Sequence, residues 1–375
     1  MCAQLFIIIA MNKKSVLILS HSMGHQSIAV ALKEVLVDSG HKVKIVLPKN
    51  PLGQEFYNQF YVFLPSLFNI PYEITKNNLI VNFIKETGKK RYKKIVQKAI
   101  GDVNPDIILV THFFYHLSLD EIIKNQNIKV FNFVYDPRSI HPIAFWRNQT
   151  NLVYDLKSAS VGRKYKIDKE NLKITGWPIR KMFYEKYDTN KVYEEYNLSK
   201  KYPVILVVGG SMGTNSILKI LPALFSTKSF IQVLFITGRN KKLSKAGKIL
   251  EKFFESQKST FPIKFKSLGF VKNLAPLMKI SKLVVGKGGP NLIFESVATK
   301  TPFFVITHIH GQEDGNLDLI KKKKLGFVEE DPIKAKKLLK NILKNPKLLK
   351  RFDKHLEKEA KYNEKFKENL LKIVK

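Results

Sequence analysis

Short apolar runs recur along the chain, each closed by a polar or glycine-containing loop and followed by apolar positions three and four apart. Residues 16–19 form the first run. Ile28, Ala31, Leu32, Val35 and Leu36 then mark one face of a helix over about 25–38, and Gly40 stops it. A second strand is predicted over 42–47, with further buried strands over 106–110 and 130–134. Continuous apolar strands alternating with helices predict a parallel sheet covered on both faces.

The pattern restarts near residue 203. A strand over 204–208 runs into Gly209 and Gly210. Later strands are predicted over 233–236, 282–285, 303–306 and 326–328, with a basic helix ending near Phe254. The fold class is therefore α/β, with two Rossmann-like doubly wound halves facing a cleft. The boundaries are 1–180 for the first half, 181–202 for a polar linker rich in Lys, Tyr, Asn and Glu, and 203–345 for the second half. Lys/Leu-rich helices fill 346–375 and would pack back on the first half. No short-period repeat is present.

Charge changes the picture. Lys+Arg number 65 and Asp+Glu 31, a formal net charge of +34. Such an excess suits a polyanionic partner. The lysines are dispersed, with no arginine-rich recognition helix and no zinc-finger spacing, so an anionic membrane surface is favoured over nucleic acid. AT-rich codon usage would also enrich Lys, Asn, Ile and Phe together. The stretch 51–100 combines Phe56, Tyr57, Phe60, Tyr61, Phe63, Leu64, Leu67 and Phe68 with the basic run 89–94. This suits a lipid–water interface, or equally a core helix with a solvated face. Cys2 is the only cysteine, which excludes a disulfide framework and fits a reducing cytosol. No stretch approaches the ~20 apolar residues of a membrane span. The run 5–10 lacks the basic flank of a signal peptide, and Met11 is the expected start of translation. The expected location is cytoplasmic, peripheral on the inner face of the cell membrane.

Three loops carry candidate chemistry. Gly209-Gly210-Ser211-Met212-Gly213 lies between a strand and a helix, where backbone N–H groups and a helix start can meet a pyrophosphate. Lys287-Gly288-Gly289-Pro290-Asn291 makes a second such start, with Pro290 suited to the first helical position, and Glu295 follows in the helix. His310-Gly311-Gln312-Glu313-Asp314-Gly315-Asn316 follows the 303–306 strand and packs donors and acceptors suited to sugar hydroxyls.

The run 287–295, followed by Thr301-Pro302, Gly311-Gln312-Glu313 and Asn316, resembles the monogalactosyldiacylglycerol synthases. It is equally similar to the bacterial processive diacylglycerol glucosyltransferases. Gly176-Trp177-Pro178-Ile179-Arg180 resembles that family's interdomain Gly-x-Pro-x-Arg. Gly269-Phe270-Val271 followed by Asn273 resembles its Gly-Phe-x-x-Asn, and Asp136, His141 and Trp146 resemble its Asp…His-Pro…Trp segment. The loop 20–25 keeps the family's Gly-His as Gly24-His25 but holds fewer glycines.

The resemblance implies a glycosyltransferase-B fold that moves a hexose from a UDP-sugar to diacylglycerol with inversion. Phe270 and Val271 would hold the uracil. Gly210, Ser211, Met212 and Gly213 would face the phosphates, with Gly289, Pro290 and Asn291. Glu295 would bind ribose, and Gln312, Glu313 and Asn316 the hexose. Gly24 and Trp146 would lie near the acceptor. His25, at a helix start facing the cleft, is the expected general base; Asp136 either takes the proton itself or orients His25. No Asp-x-Asp motif is present, so no metal and no cofactor are expected: helix starts and Lys287 would stabilise the departing diphosphate. Competing readings are a lipid-linked N-acetylglucosaminyltransferase of peptidoglycan synthesis, a UDP-sugar epimerase, and a non-catalytic UDP-sugar sensor.

Overall fold

The computed structural model describes residues 13–22, 24–49, 69–76, 78–210 and 215–375. The first sheet has six parallel strands in the order β2-β1-β3-β4-β5-β6: β1 (Ser15–Leu19), β2 (Lys42–Val46), β3 (Ile107–Val110), β4 (Lys129–Phe133), β5 (Thr150–Val153) and β6 (Leu172–Ile174). The second runs β12-β11-β10-β7-β8-β9: β7 (Val204–Val208), β8 (Ile231–Ile236), β9 (Ile263–Leu268), β10 (Leu283–Lys287), β11 (Phe303–Thr307) and β12 (Gly326–Val328). Val16 to Leu19, β3, β7 and β8 are buried at every position, because helices cover both faces.

In each sheet the strand order reverses once, beside β1 in the first and beside β7 in the second. Ligands in open α/β sheets bind outside the carboxyl ends of the strands at such reversals. The helix α1 (Gly24–Val37) starts beyond β1. A long helix α2 (Asn78–Val103) and a short α3 (His116–Ile123) pack against each other on the first half. In the second half α4 (Pro290–Ala298) starts beyond β10, and α5 (Asp314–Lys323) follows β11.

Three strands escape the sequence pattern. β9 alternates buried and half-buried positions, with Lys264 and Lys266 on its outer face, as an edge strand does. β5 carries the polar pair Thr150-Asn151 at its start, and β6 is only three residues long. The polar segment 181–202 is a packed crossing: it holds a helical turn Thr189–Glu195, and Phe183 and Val192 are buried. Of the basic run 89–94, Tyr92 is fully buried and Lys89 and Lys93 pair with Glu121, so the run is a helix with one inward face. The aromatic positions 56–68 and the expected start at Met11 lie outside the described residues.

The terminal helices α6 (Asp353–Glu364) and α7 (Phe366–Val374) bond the first half, and α6 also packs against α4 of the second. Asn363 Oδ1 accepts from the Trp177 backbone N–H (2.9 Å), Asn369 Nδ2 donates to Thr175 O (3.2 Å), and Lys14 Nζ donates to Val374 O (3.0 Å). The Tyr154 hydroxyl bonds Glu359, whose other oxygen accepts from Lys323 at 2.6 Å. Glu359 and Lys323 thus tie α6 to both halves. Asn363→Ala leaves the buried Trp177 N–H without an acceptor and is expected to cost about 1–3 kcal/mol. A urea unfolding midpoint equal to wild type would refute that role.

Candidate functional site

His25 sits in the first turn of α1, one residue beyond Gly24. Its Nδ1 lies 2.6 Å from the carbonyl oxygen of Thr111, just past β3. A carbonyl only accepts, so Nδ1 carries the hydrogen and Nε2 presents a lone pair. The ring packs edge-on against His112 (4.7 Å, 73°) and Tyr135 (4.5 Å, 71°), and His112 stacks on His21 (4.3 Å, 19°). Burial lowers the His25 pKa to about 3, with nearby His21 adding to the effect and the Thr111 bond opposing it. Burial likewise lowers His21 to about 4 and holds His112 well below the usual histidine range. The cluster is therefore uncharged at neutral pH.

Asp136, beyond β4, is 5% exposed. Burial pushes its carboxyl well above the usual range; Glu313 from the second half adds to this, and Lys287 opposes it. Burial disfavours the ionised Asp136 carboxylate, the form a general base needs, whereas it favours the neutral form of His25 that accepts a proton. Tyr72, whose hydroxyl donates to Ser139 O at 2.8 Å, has its pKa raised above the usual phenol range, first by burial and then by acidic neighbours that include Asp136.

In the second half Gly289 caps α4 and Pro290 takes its first position. Lys287 pairs with Glu313 Oε1, and Glu313 Oε2 accepts from Ile309 N at 2.9 Å. Asn316 Nδ2 donates to Gly288 O at 2.9 Å, while its Oδ1 is buried without a partner. Glu313 and Asn316 therefore lock the 311–316 loop onto the β10–α4 turn, and Gln312 is half-buried beside them. Gly210 ends the β7 loop with φ +80°, where glycine is favoured. Ser211, Met212 and Gly213 lie outside the described residues. Phe270 is half exposed beyond β9, with the Arg239 guanidinium 4.4 Å above its ring; Val271 packs against the core.

The two halves meet through these same residues. Asn291 Nδ2 donates to Gly24 O (2.9 Å), and Asn291 Oδ1 accepts from Trp177 Nε1 (3.2 Å). Glu295 is buried and pairs with Arg180 at 2.7 Å; burial nonetheless raises its pKa. Gly315 N donates to Ser139 Oγ at 2.6 Å, and a Cβ on Gly315 would come within 2.5 Å of Arg138 Cβ. Arg138 is fixed by a two-point pair with Asp155 (2.9 and 2.6 Å).

The structure thus brings His25, Gly24, Asp136, Lys287, Gly289, Pro290, Asn291, Glu313 and Asn316 to one interdomain cleft. The amide of Asn291 is taken up by the domain contact, and one Glu295 oxygen by Arg180. Trp146 is not brought there: it is 4% exposed, stacked on His116 (4.5 Å, 17°), and its Nε1 donates to Asp120 at 3.0 Å. His141 turns its Nδ1 to Ile143 N (3.1 Å), capping a short turn. Sequence reasoning assigned no role to Thr111, Ser139, Trp177 or Arg180. Trp177 and Arg180 stand in the quoted Gly-Trp-Pro-Ile-Arg run; nothing in the sequence marks Thr111 or Ser139.

Two parallel-sheet halves with site loops at facing strand ends define the glycosyltransferase-B class of fold. Comparison with known proteins agrees. Residues 204–373 match the glycosyltransferase family 28 C-terminal domain. The chain is 27% identical over 270 residues to a processive diacylglycerol beta-glucosyltransferase of Bacillus licheniformis, an alignment covering 71% of this chain and 64% of that one. A Bacillus cereus protein of the same name is 24% identical over 363 residues, covering 89% and 87%. Among solved structures, a Rickettsia africae glycosyltransferase superposes with TM-score 0.60 at 16% identity over 97% of this chain and 98% of that one. Arabidopsis thaliana UGT89C1 complexed with UDP-L-rhamnose superposes with TM-score 0.60 at 12% identity, covering 97% and 100%. Residues 204–373 thus carry the match to a glycosyltransferase family 28 C-terminal domain, and the chain is similar over most of its length to processive diacylglycerol beta-glucosyltransferases.

The raised Asp136 pKa makes a signed prediction. Below about pH 4 the carboxyl is neutral folded and unfolded alike. Above that, the unfolded chain sheds a proton that the folded chain retains, so folding loses stability as pH rises toward the folded pKa. Asp136→Asn is expected to raise the melting temperature at pH 7 by roughly 2–4 °C and to leave it unchanged at pH 3. Equal shifts at both pH values would contradict this account.

Proposed function

We propose that this chain transfers a hexose, galactose or glucose, from a UDP-sugar to diacylglycerol with inversion at the anomeric carbon, at an anionic membrane surface. The observation that carries the reading is the His25 imidazole: its Nδ1 is held by Thr111 O, its Nε2 has no hydrogen-bond partner among the described residues, and its neighbour Gly24 bonds Asn291 at the opposite helix start.

In one in-line step the acceptor hydroxyl gives its proton to His25 Nε2 and its oxygen bonds the anomeric carbon. The bond to the diphosphate oxygen breaks, and UDP leaves with the electron pair. The α4 start is suited to the charge that develops on the diphosphate, and Ser211, Met212 and Gly213, which follow β7 in the sequence, are assigned the same role. Phe270 offers an exposed ring for the uracil, and Glu295, through the oxygen that Arg180 leaves open, reaches for ribose. Gln312, Glu313 and Asn316 read the hexose. Asp136, whose ionised form burial disfavours, is assigned an orienting role, and His25 takes the acceptor proton.

Membrane contact is supported by the surface around α2. Ile74, Leu79 and Phe83 are exposed by 53, 79 and 69%, and Lys90, Arg91, Lys94 and Lys98 are exposed further along α2. Apolar side chains beside cations suit a peripheral interface with anionic lipid. No helix among the described residues is long and apolar enough to cross a membrane.

The decisive assay is incubation with diacylglycerol vesicles and labelled UDP-glucose or UDP-galactose, with mass analysis of the lipid. Wild type is expected to form a β-glycosyl lipid. His25→Ala should lower kcat by about 10²–10⁴-fold while donor KM changes little. Full turnover by His25→Ala would remove it as the base; no lipid product with either donor would end the reading. In flotation assays, Leu79→Glu combined with Phe83→Glu should reduce binding to anionic vesicles, and wild-type binding should rise with anionic lipid content. Equal wild-type binding to neutral vesicles at low salt would count against the charged-surface contact.

A further inference from the structure

The segment joining β11 to α5 carries side chains that the transfer reaction does not use. His308, His310 and Asp314 each offer one ligand atom, and these atoms lie within 4.8 Å of one another. The His308 and His310 rings are 4.2 Å apart between centroids. His308 is 5% exposed and bonded on both sides, by Nδ1 to Glu330 Oε1 and by Nε2 to Asp314 Oδ1, each at 2.8 Å.

This geometry resembles a prepared ligand set. Glu330, beyond β12, orients the ring through Nδ1 and leaves Nε2 aimed at Asp314. A carboxylate behind an imidazole is the usual support for a metal-ligating histidine. Asp314 is 56% exposed, so the place between the three ligand atoms is open to solvent while its inner wall is fixed. Two imidazoles and one carboxylate suit a borderline ion such as Zn²⁺ or Co²⁺, whereas Mg²⁺ and Ca²⁺ prefer oxygen-only sets.

We propose that His308, His310 and Asp314 bind a transition-metal dication, with Glu330 holding His308 in place. The ion replaces the hydrogen that His308 Nε2 donates to Asp314, that proton passes to solvent, and the ion takes bonds of about 2.0–2.2 Å to each ligand. A solvent molecule completes the coordination. The ion has no part in the departure of the diphosphate. Its ligands bracket Gln312 and Glu313, so a filled site pins both ends of the loop assigned to the hexose; that consequence rests on the donor reading above. Gly311 N already donates to Asp314 Oδ1 at 3.0 Å, so the loop is folded toward the bound form.

The test is calorimetric titration of the full chain, free of affinity tag and of sugar nucleotide, with ZnCl₂, together with the visible spectrum of the Co²⁺-loaded protein. One equivalent of Zn²⁺ is expected, with no heat from MgCl₂, and intense Co²⁺ bands of a four-coordinate site. His310→Ala and Asp314→Asn alter positions open to solvent and should keep the wild-type melting temperature while weakening Zn²⁺ binding at least tenfold. Glu330→Gln should weaken it by about 10-fold through the lost support. Absent Zn²⁺ binding, or binding equal in wild type, His310→Ala and Asp314→Asn, overturns the site; the latter result would move the ion to other histidines. Lipid glycosylation is scored separately. Turnover without Zn²⁺ binding defeats this inference alone, and Zn²⁺ binding without turnover defeats the donor reading alone.

Discussion

One side-chain amide registers the two halves against each other. Asn291 stands at the start of α4, where a diphosphate would be met, and its amide spans Gly24 and Trp177. Gly24 is the neighbour of His25, so the position of the imidazole is set by the residue that opens the opposite helix. A proton acceptor and a leaving-group site on separate domains must be aligned to within a fraction of an ångström for in-line displacement. In the proposed transfer that alignment would pass through two hydrogen bonds of one amide. The Arg180–Glu295 pair and the Gly315–Ser139 bond fasten the same seam on either side.

The seam also explains why so much polar chemistry is buried without ligand. Glu313, Asn316 and Glu295 are nearly inaccessible, and each has at least one partner from its own chain. Buried polar groups need such partners. Occupation by a sugar nucleotide would exchange some of these bonds for bonds to hydroxyls, so the energy of recognition is the difference between two satisfied states. The orphaned Asn316 Oδ1 marks one acceptor with no bond to give up.

The fold was readable from the sequence because its strands are buried on both faces, and a short uninterrupted apolar run such as 204–208, closed by glycine, suits little besides a strand covered from above and below. Strands that broke that rule were lost: β9 alternates lysine with apolar residues, and β5 opens on Thr150 and Asn151. Glycine, proline and acidic positions of the cleft were legible because backbone freedom and helix starts leave a local signature. Partners that act through a carbonyl or a single hydroxyl, Thr111 and Ser139, leave none. Trp146 shows the opposite failure: an indole in a suggestive motif is held by His116 and Asp120 inside the core, a tertiary fact without local pattern. Glu295 is intermediate, since its place in the helix was evident but its pairing with Arg180 across the domains was not.

The uncharged histidine cluster has a consequence at an interface. An anionic bilayer draws protons as it draws lysines: a surface potential near −30 mV lowers the local pH by about half a unit relative to bulk. An imidazole of ordinary basicity would be partly quenched there. Burial against His112 and Tyr135 places His25 far below that range, so the acidity of a lipid headgroup layer would leave its lone pair intact.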